Sequence, residues 1–290
     1  FKISNYSKTA TLIIDPTIVF ASFTGSLVDN WGYTATYDAA GNFYAGGIAF
    51  GSGYPTSTGA YQENFGGGSG DGYDVAIIKL SSVDGSSRLY ATYLGGGGNE
   101  QPHSMIVDNQ GNLVVAGRTD SPNFPATSAT FGTGGKEDIF ISKLSADGSL
   151  LLGSRKIGGP DDDGVNIRSK ETIGPLSISR NYGDDARSEV IVDGKNNIYL
   201  ASATQSSTFP VTAGAFQGTS GGSQDGVLIK TSSDLGNILF SSFLGGGGDD
   251  AAFALSLNPL NDNIYVAGAT TSNNLKATGG NNGPILFSTY

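Results

Sequence analysis

The chain has 290 residues, enough to bury a sizeable core as one large all-β domain or two ordinary ones, and carries 26 Asp and Glu against 16 Lys and Arg. A formal charge of −10 gives a phosphate backbone or an anionic bilayer nothing to hold, so no nucleic-acid partner is expected and a lipid surface is disfavoured. No apolar run approaches the roughly 18 residues of a membrane span, and the absence of cysteine excludes disulfides, thiolate metal sites and cysteine nucleophiles.

In chain order, Phe1 to Asp15 holds two short strand-like runs, Lys2 to Lys8 and Ala10 to Ile14, closed by Pro16. Residues 1–16 read as the tail of a preceding domain or a linker strand. The chain opens without Met or a signal peptide and is expected to be a mature or excised segment. From Thr17 onward a pattern repeats. Glycine is 45 of 290 residues, against roughly 7% in ordinary chains. It clusters between apolar runs, as tight turns requiring positive φ would have it.

The first repeated motif is an apolar strand, a tight turn and a second apolar strand. Its copies are Tyr33 to Gly46, Ser104 to Gly117, Glu189 to Ser202 and Ala254 to Gly268. Asp, Asn and Gly in each turn predict hairpins. The equivalent Asn42, Asn112, Asn197 and Asn263 lie 70, 85 and 66 residues apart. A proline-bearing loop follows, at Tyr54-Pro55, Phe124-Pro125 and Phe209-Pro210, then a strand opening on Asp74, Asp138 or Asp225. The unit closes on an alternating strand that breaks into glycines and acids, as in Tyr93-Leu-Gly-Gly-Gly-Gly-Asn-Glu100 and Phe243-Leu-Gly-Gly-Gly-Gly-Asp-Asp250. Four strands per unit, short turns and no amphipathic helix predict an all-β propeller of four-stranded antiparallel blades. The unit is too long for a strand solenoid.

Four motifs recurring in one order carry a family resemblance: Tyr93 to Glu100, Val107-Asp-Asn-Gln-Gly-Asn-Leu-Val-Val-Ala-Gly-Arg-Thr119, Phe124-Pro125 and Asp138-Ile-Phe-Ile-Ser-Lys-Leu144. The series resembles the SBBP β-propeller repeat, and the likeness covers residues 17–290. Residues 1–16 resemble the end of the domain that often precedes these repeats. The resemblance implies a bacterial protein that is secreted or held at the outer cell surface. It brings no catalytic residues.

By likeness to other propellers, the Val107 strand is expected innermost and the Leu94 strand outermost. Residues 17–24 would then be an outer strand completing the last blade, followed by blades at about 31–95, 102–159, 186–246 and 251–290. Blade three carries an insertion at 165–186. Blade four runs from Thr270 to Ile285 in 15 residues where blade three takes 34 from Thr204 to Ile238. Either its third strand is absent or residues are missing between Leu275 and Gly283. About four blades of a larger ring are expected.

The acids at Asp161, Asp162, Asp163, Asp249 and Asp250 are the candidates for calcium, because hard cations take carboxylates and turn carbonyls. No spacing matches an EF-hand or the nonapeptide calcium repeat, and turn caps are the plainer reading. No metal, cofactor or catalytic residue is assigned. The glycine runs lack the Gly-Lys-Ser/Thr and the helix that a phosphate cradle requires. His103, the single histidine, reads as structural. Most of the aromatics alternate along strands as core, and Trp31 is the one candidate for ligand contact. The expected function is a non-catalytic scaffold or protein-interaction module with partners at the cell envelope. The alternative is a glycan-binding or polysaccharide-processing propeller with its site in the axial funnel.

Overall fold

A computed structural model describes residues 20–67, 72–85, 87–166, 187–258, 260–261 and 263–275. Every regular element among them is a strand. The first sheet is the meander β1 (Asn30–Tyr37), β2 (Phe43–Ala49), β3 (Asp74–Leu80) and β4 (Arg88–Leu94). The second holds β5 (Glu100–Val107), β6 (Leu113–Thr119), β7 (Phe131–Gly132), β8 (Asp138–Leu144) and β9 (Leu151–Gly158), in the order β5-β6-β8-β9-β7. The third is β10 (Glu189–Val192), β11 (Ile198–Thr204), β12 (Asp225–Thr231) and β13 (Ile238–Leu244). A hairpin of β14 (Asp250–Leu257) and β15 (Ile264–Thr270) begins the fourth.

The first strands of successive sheets adjoin, β1 against β5, β5 against β10 and β10 against β14. These are blades of a β-propeller, with first strands innermost and β4, β9 and β13 farther out. Apolar faces of neighbouring blades make the core. Tyr44, Val75, Ile77 and Leu94 of blade one pack on Met105, Val115 and Phe140 of blade two. Val114, Ile139 and Ile141 of blade two pack on Ile198, Leu200 and Val227 of blade three.

The hairpins form where the turn chemistry predicts them. Asp108 Oδ1 accepts the N–H groups of Gln110 (2.8 Å) and Asn112 (2.9 Å), and Gly111 supplies φ 85°. Asp38 and Asp193 repeat this with Asn42 and Asn197. The aspartate also receives a lysine from the third strand: Lys79 on Asp38 (3.1 Å), Lys143 on Asp108 (2.6 Å) and Lys230 on Asp193 (3.9 Å). In the proline loops a buried ring packs on the blade, Tyr54 on Tyr93, Phe124 on Phe140 and Phe209 on Phe243.

One repeat was invisible in the pattern. Each long inner strand carries a register shift at one residue: between Gly32 and Thr34, between Pro102 and Ser104, and between Ala252 and Ala254. The bulge lays a carbonyl against a glycine of the second strand. A Cβ on Gly47, Gly117 or Gly268 would stand 1.9, 2.0 and 1.9 Å from the oxygens of Trp31, Gln101 and Ala251. Blade three has Ser202 at this place, and among the described residues its inner strand pairs from Glu189 to Val192.

Two expectations need correction. Residues 20–24 form no strand, so the outer strand expected at 17–24 is not made over its described part. Hydroxyls of Thr24 and Ser26 take nearby backbone N–H groups instead, and Phe20 packs edge-on against Phe43 of blade one at 5.9 Å. Blade two gains a fifth strand, where the proline loop lays Phe131–Gly132 parallel to Ile157–Gly158. Residues 1–16, most of the insertion at 165–186 and the short stretch after Leu275 lie outside the described residues; Val165 and Asn166 are buried.

Candidate binding face at the blade ends

The crossing from one blade's outer strand to the next blade's inner strand is built from glycines and acids. The acid four residues beyond the second glycine folds back to cap it. Glu100 accepts the Gly96 N–H (3.0 Å), Asp163 the Gly159 N–H (2.7 Å) and Asp250 the Gly246 N–H (2.6 Å). The same carboxyls take hydroxyls from the end of the second strand: Thr119 on Glu100, Thr204 and Ser206 on Asp163, Ser272 on Asp250. Each acid is buried and holds its turn through these bonds.

The five calcium candidates therefore do not converge. Asp163 and Asp250 sit at different blade junctions as internal caps. Asp161 pairs with Lys136 at 3.0 Å in an exposed bridge. Asp162 gives its carbonyl to the Gln205 N–H, and Asp249 gives its N–H to Thr271. Among the described residues no three His, Asp or Glu side chains group to hold a metal ion. Burial, with the nearby Asp138 charge, pushes the Asp163 carboxyl up to about 7.

Near the axis the bulges present one residue per blade: Tyr33, His103 and Phe253, with Ser188 in register at blade three. His103 is buried, and its Nδ1 lies 2.9 Å from Ser188 Oγ, which in turn contacts Ser202 Oγ at 2.7 Å. Burial first, and then the Arg118 charge, lower His103 to about 3, so the ring is neutral near pH 7. A base that weak, with no carboxylate among its hydrogen-bond partners, is a poor activator for Ser188.

At the same end as the glycine crossings, backbone and side chains part company. Tyr73, Glu137 and Gln224 occupy one position, and each gives its carbonyl to the N–H of the next junction's acid, Glu100, Asp163 and Asp250. The backbone bond is constant while the side chain changes from blade to blade. Tyr73 continues a row of rings, with Trp31 to Phe50 at 5.3 Å and Phe50 to Tyr73 at 5.5 Å. Trp31 is 51% exposed. Beside the row, Arg118 contacts the Tyr73 hydroxyl (3.4 Å), pairs with Glu137 and donates to Gln101 Oε1 (2.7 Å).

Trp31, the candidate for ligand contact, is half-exposed at the start of β1 beside the Phe50 ring. Gln101, Arg118 and Glu137 were missed, although a signal existed. Arg118 replaces the alanine of Leu200-Ala-Ser-Ala-Thr204 and Val266-Ala-Gly-Ala-Thr270. In a repeat protein, departures from the repeat mark the positions released from holding the fold.

No curated protein matches the chain. Residues 89–125 match the family model described as beta-propeller repeat, SBBP, a stretch running from β4 through β5 and β6 into the proline loop. With the same strands, turns and junction contacts built again in the blades on either side of it, the chain is a β-propeller that carries an SBBP-type repeat at residues 89–125.

Proposed function

We propose that the chain is a non-catalytic scaffold, exported to the bacterial surface, that binds a protein partner through the blade-end face around Trp31. One observation carries this reading. The side chains that repeat are spent on turns and junctions, while those that differ between blades gather at one end, around a half-exposed aromatic row. The family resemblance and the lack of cysteine support export, and no helix among the described residues is long and apolar enough to cross a membrane.

Trp31→Ala is the test. An exposed anchor of this kind is worth about 2 kcal/mol to a complex. Envelope partners captured by the wild-type protein should be lost or weakened at least roughly tenfold, while the melting temperature changes little. Capture unaffected by the substitution would remove the blade-end face from the account.

A glycan is the second reading, favoured by one observation: Glu137 is an acid that blades one and three replace with Tyr73 and Gln224, and it lies beside the rings. A glycan array showing binding that Trp31→Ala abolishes would select this reading over a protein partner. Calcium has no part in either proposal, because Asp163 and Asp250 cap separate junctions, Asp161 pairs with Lys136, and no three acids among the described residues group to hold a metal ion. Chelation with EDTA is expected to leave the melting temperature unchanged, and a drop of several degrees would return calcium to the junctions.

A further inference from the structure

The junction acids have partners of their own. Asp74, Asp138 and Asp225 open the third strands, and each points a carboxyl oxygen at the first glycine of the crossing. A Cβ on Gly95 would lie 2.5 Å from Asp74 Oδ1 and equally 2.5 Å from Glu100 Oε2. On Gly158 it would meet Asp138 Oδ1 at 2.1 Å and Asp163 Oδ2 at 2.8 Å. On Gly245 it would meet Asp225 Oδ1 at 1.9 Å and Asp250 Oδ2 at 3.0 Å. Three times, two buried carboxyls close on one α-carbon.

At the middle junction the fold supplies a cation. Lys156 Nζ lies 2.8 Å from Asp138 Oδ2 and 3.2 Å from the Ser121 carbonyl oxygen. Lys156 faces Phe140 on β8, the register position that Tyr93 takes opposite Ala76 and Phe243 opposite Val227. Tyr93 reaches the matching carbonyl, Gly51, at 2.9 Å, but its hydroxyl carries no charge. Phe243 has no polar head at all. At the first and third junctions the carboxyl pair accordingly keeps unanswered oxygens: Asp74 Oδ1, Asp225 Oδ1 and Asp250 Oδ1 are buried without a hydrogen-bond partner.

The groups facing the first pair can be named. Asp74 Oδ2 accepts the Gly66 N–H (2.7 Å) and the Gln62 amide (3.4 Å). Glu100 accepts Gly96 N–H and the Thr119 hydroxyl, and Ser121 adds a further hydrogen bond. The charge acting on Glu100 from the loop after β6 is another acid, Asp120. Lys156, on the far side of Ser121, is committed to Asp138. Among the described residues no lysine or arginine pairs with Asp74 or Glu100. The surroundings are N–H and O–H donors, with a backbone α-carbon pressed between the two acids, which suits a proton and leaves no berth for a metal ion.

We propose that Asp74 and Glu100 share one proton, donated by one carboxyl to the other, and that this proton closes the crossing from blade one to blade two. Losing it sets two buried like charges against each other and loosens the crossing, whose Glu100 N–H holds the Tyr73 carbonyl beside the aromatic row. The electrostatics agree: burial, followed by the Glu100 charge and hydrogen bond, pushes Asp74 up to about 7, and burial raises Glu100 as well. An unfolded aspartate titrates near 3.8. Between the two values the folded chain holds a proton that the unfolded chain has released. The stability this proton brings is therefore full below about 4 and falls as the pH rises toward 7, by about tenfold in the unfolding equilibrium per pH unit for each such proton.

Asp74→Asn tests this, because the amide keeps an acceptor for Gly66 and offers Glu100 a permanent donor. The wild type should melt progressively lower from pH 5 to pH 8 and show a protonated-carboxyl infrared band that fades over that range. Asp74→Asn should melt higher than wild type at pH 8, have a shallower pH slope and lack part of the band. The remaining slope comes chiefly from Asp163, also pushed up to about 7, with Asp249, raised by burial, adding to it, and Asp74→Asn with Asp163→Asn should remove most of it. Glu100→Gln is the second variant if Asp74→Asn fails to fold. A pH slope and band unchanged in the foldable variant would overturn the proposal. So would wild-type melting at pH 8 that millimolar calcium restores, which would give the site to a metal.

Discussion

Lys143→Met is expected to lower the unfolding free energy by about 3–5 kcal/mol, the usual loss when one partner of a buried ion pair is removed. The Lys143 and Asp108 side chains are 6% and 0% exposed and meet at 2.6 Å. The ammonium also donates to the Ser233 carbonyl of blade three at 3.2 Å, so one group ties the first hairpin of blade two to the neighbouring blade. Methionine keeps the stem and leaves the Asp108 carboxylate buried without its charge partner. Burial alone would raise that carboxyl; hydrogen bonds from Lys143, Asn112 and Gln110 outweigh it and hold it below the usual carboxylate range. The stability this brings is present above the unfolded pKa, near 4, and is lost as the pH falls through the lower folded value.

Blade one gives the internal comparison. Lys79 and Asp38 are 3.1 Å apart, and the Tyr44 hydroxyl also donates to Asp38 at 3.3 Å, where blade two has Val114. Lys79→Met should therefore cost less than Lys143→Met, because Asp38 keeps the Tyr44 hydroxyl in addition to the asparagine amide that both aspartates retain. Urea unfolding of the two variants orders them. Asp108→Asn combined with Lys143→Met should recover part of the loss, the sign of a direct interaction. A loss under about 1 kcal/mol for Lys143→Met would mean that water reaches the pair and that it behaves as a surface bridge.

The features legible in the sequence are those whose cause is local. Asp108, Gly111 and Asn112 make their turn by bonding within five residues, so the motif reads directly as a hairpin. The strand order within the blades followed from the repetition of such motifs. The acids read as turn caps, but which groups each would meet was not legible, because adjacency along a chain is not adjacency in space. Asp161, Asp162 and Asp163 look like a cluster, yet only Asp163 turns inward, and its true neighbour is Asp138, 25 residues earlier. Arg118 was legible only as an exception to its repeat. The outer strand expected at 17–24 was argued from how propellers close; its described part instead follows the local pull of Thr24, Ser26 and the apolar end of blade one.

The strand glycines were the deepest omission, and Gly117→Ala measures it. These glycines read as part of the turn chemistry, but Gly117 sits within β6, facing the inner-strand bulge. An alanine Cβ there would lie 2.0 Å from the Gln101 oxygen, 2.9 Å from its carbonyl carbon and 2.9 Å from the Phe140 ring. The backbone of β5 cannot yield without breaking its pairing with β6, so overpacking of about 3 kcal/mol or more is expected. Ser202, the blade-three residue in the same register, is the control. Its hydroxyl lies 2.7 Å from the Ser188 hydroxyl. Ser202→Ala should cost only about 1 kcal/mol, one buried hydrogen bond. Gly117→Ala should also disturb the face, since moving Gln101 breaks its contact with Arg118. Equal losses for the two variants in urea unfolding would mean that the bulge can relax, and that the repeated glycine answers to something other than the carbonyl pressed against it.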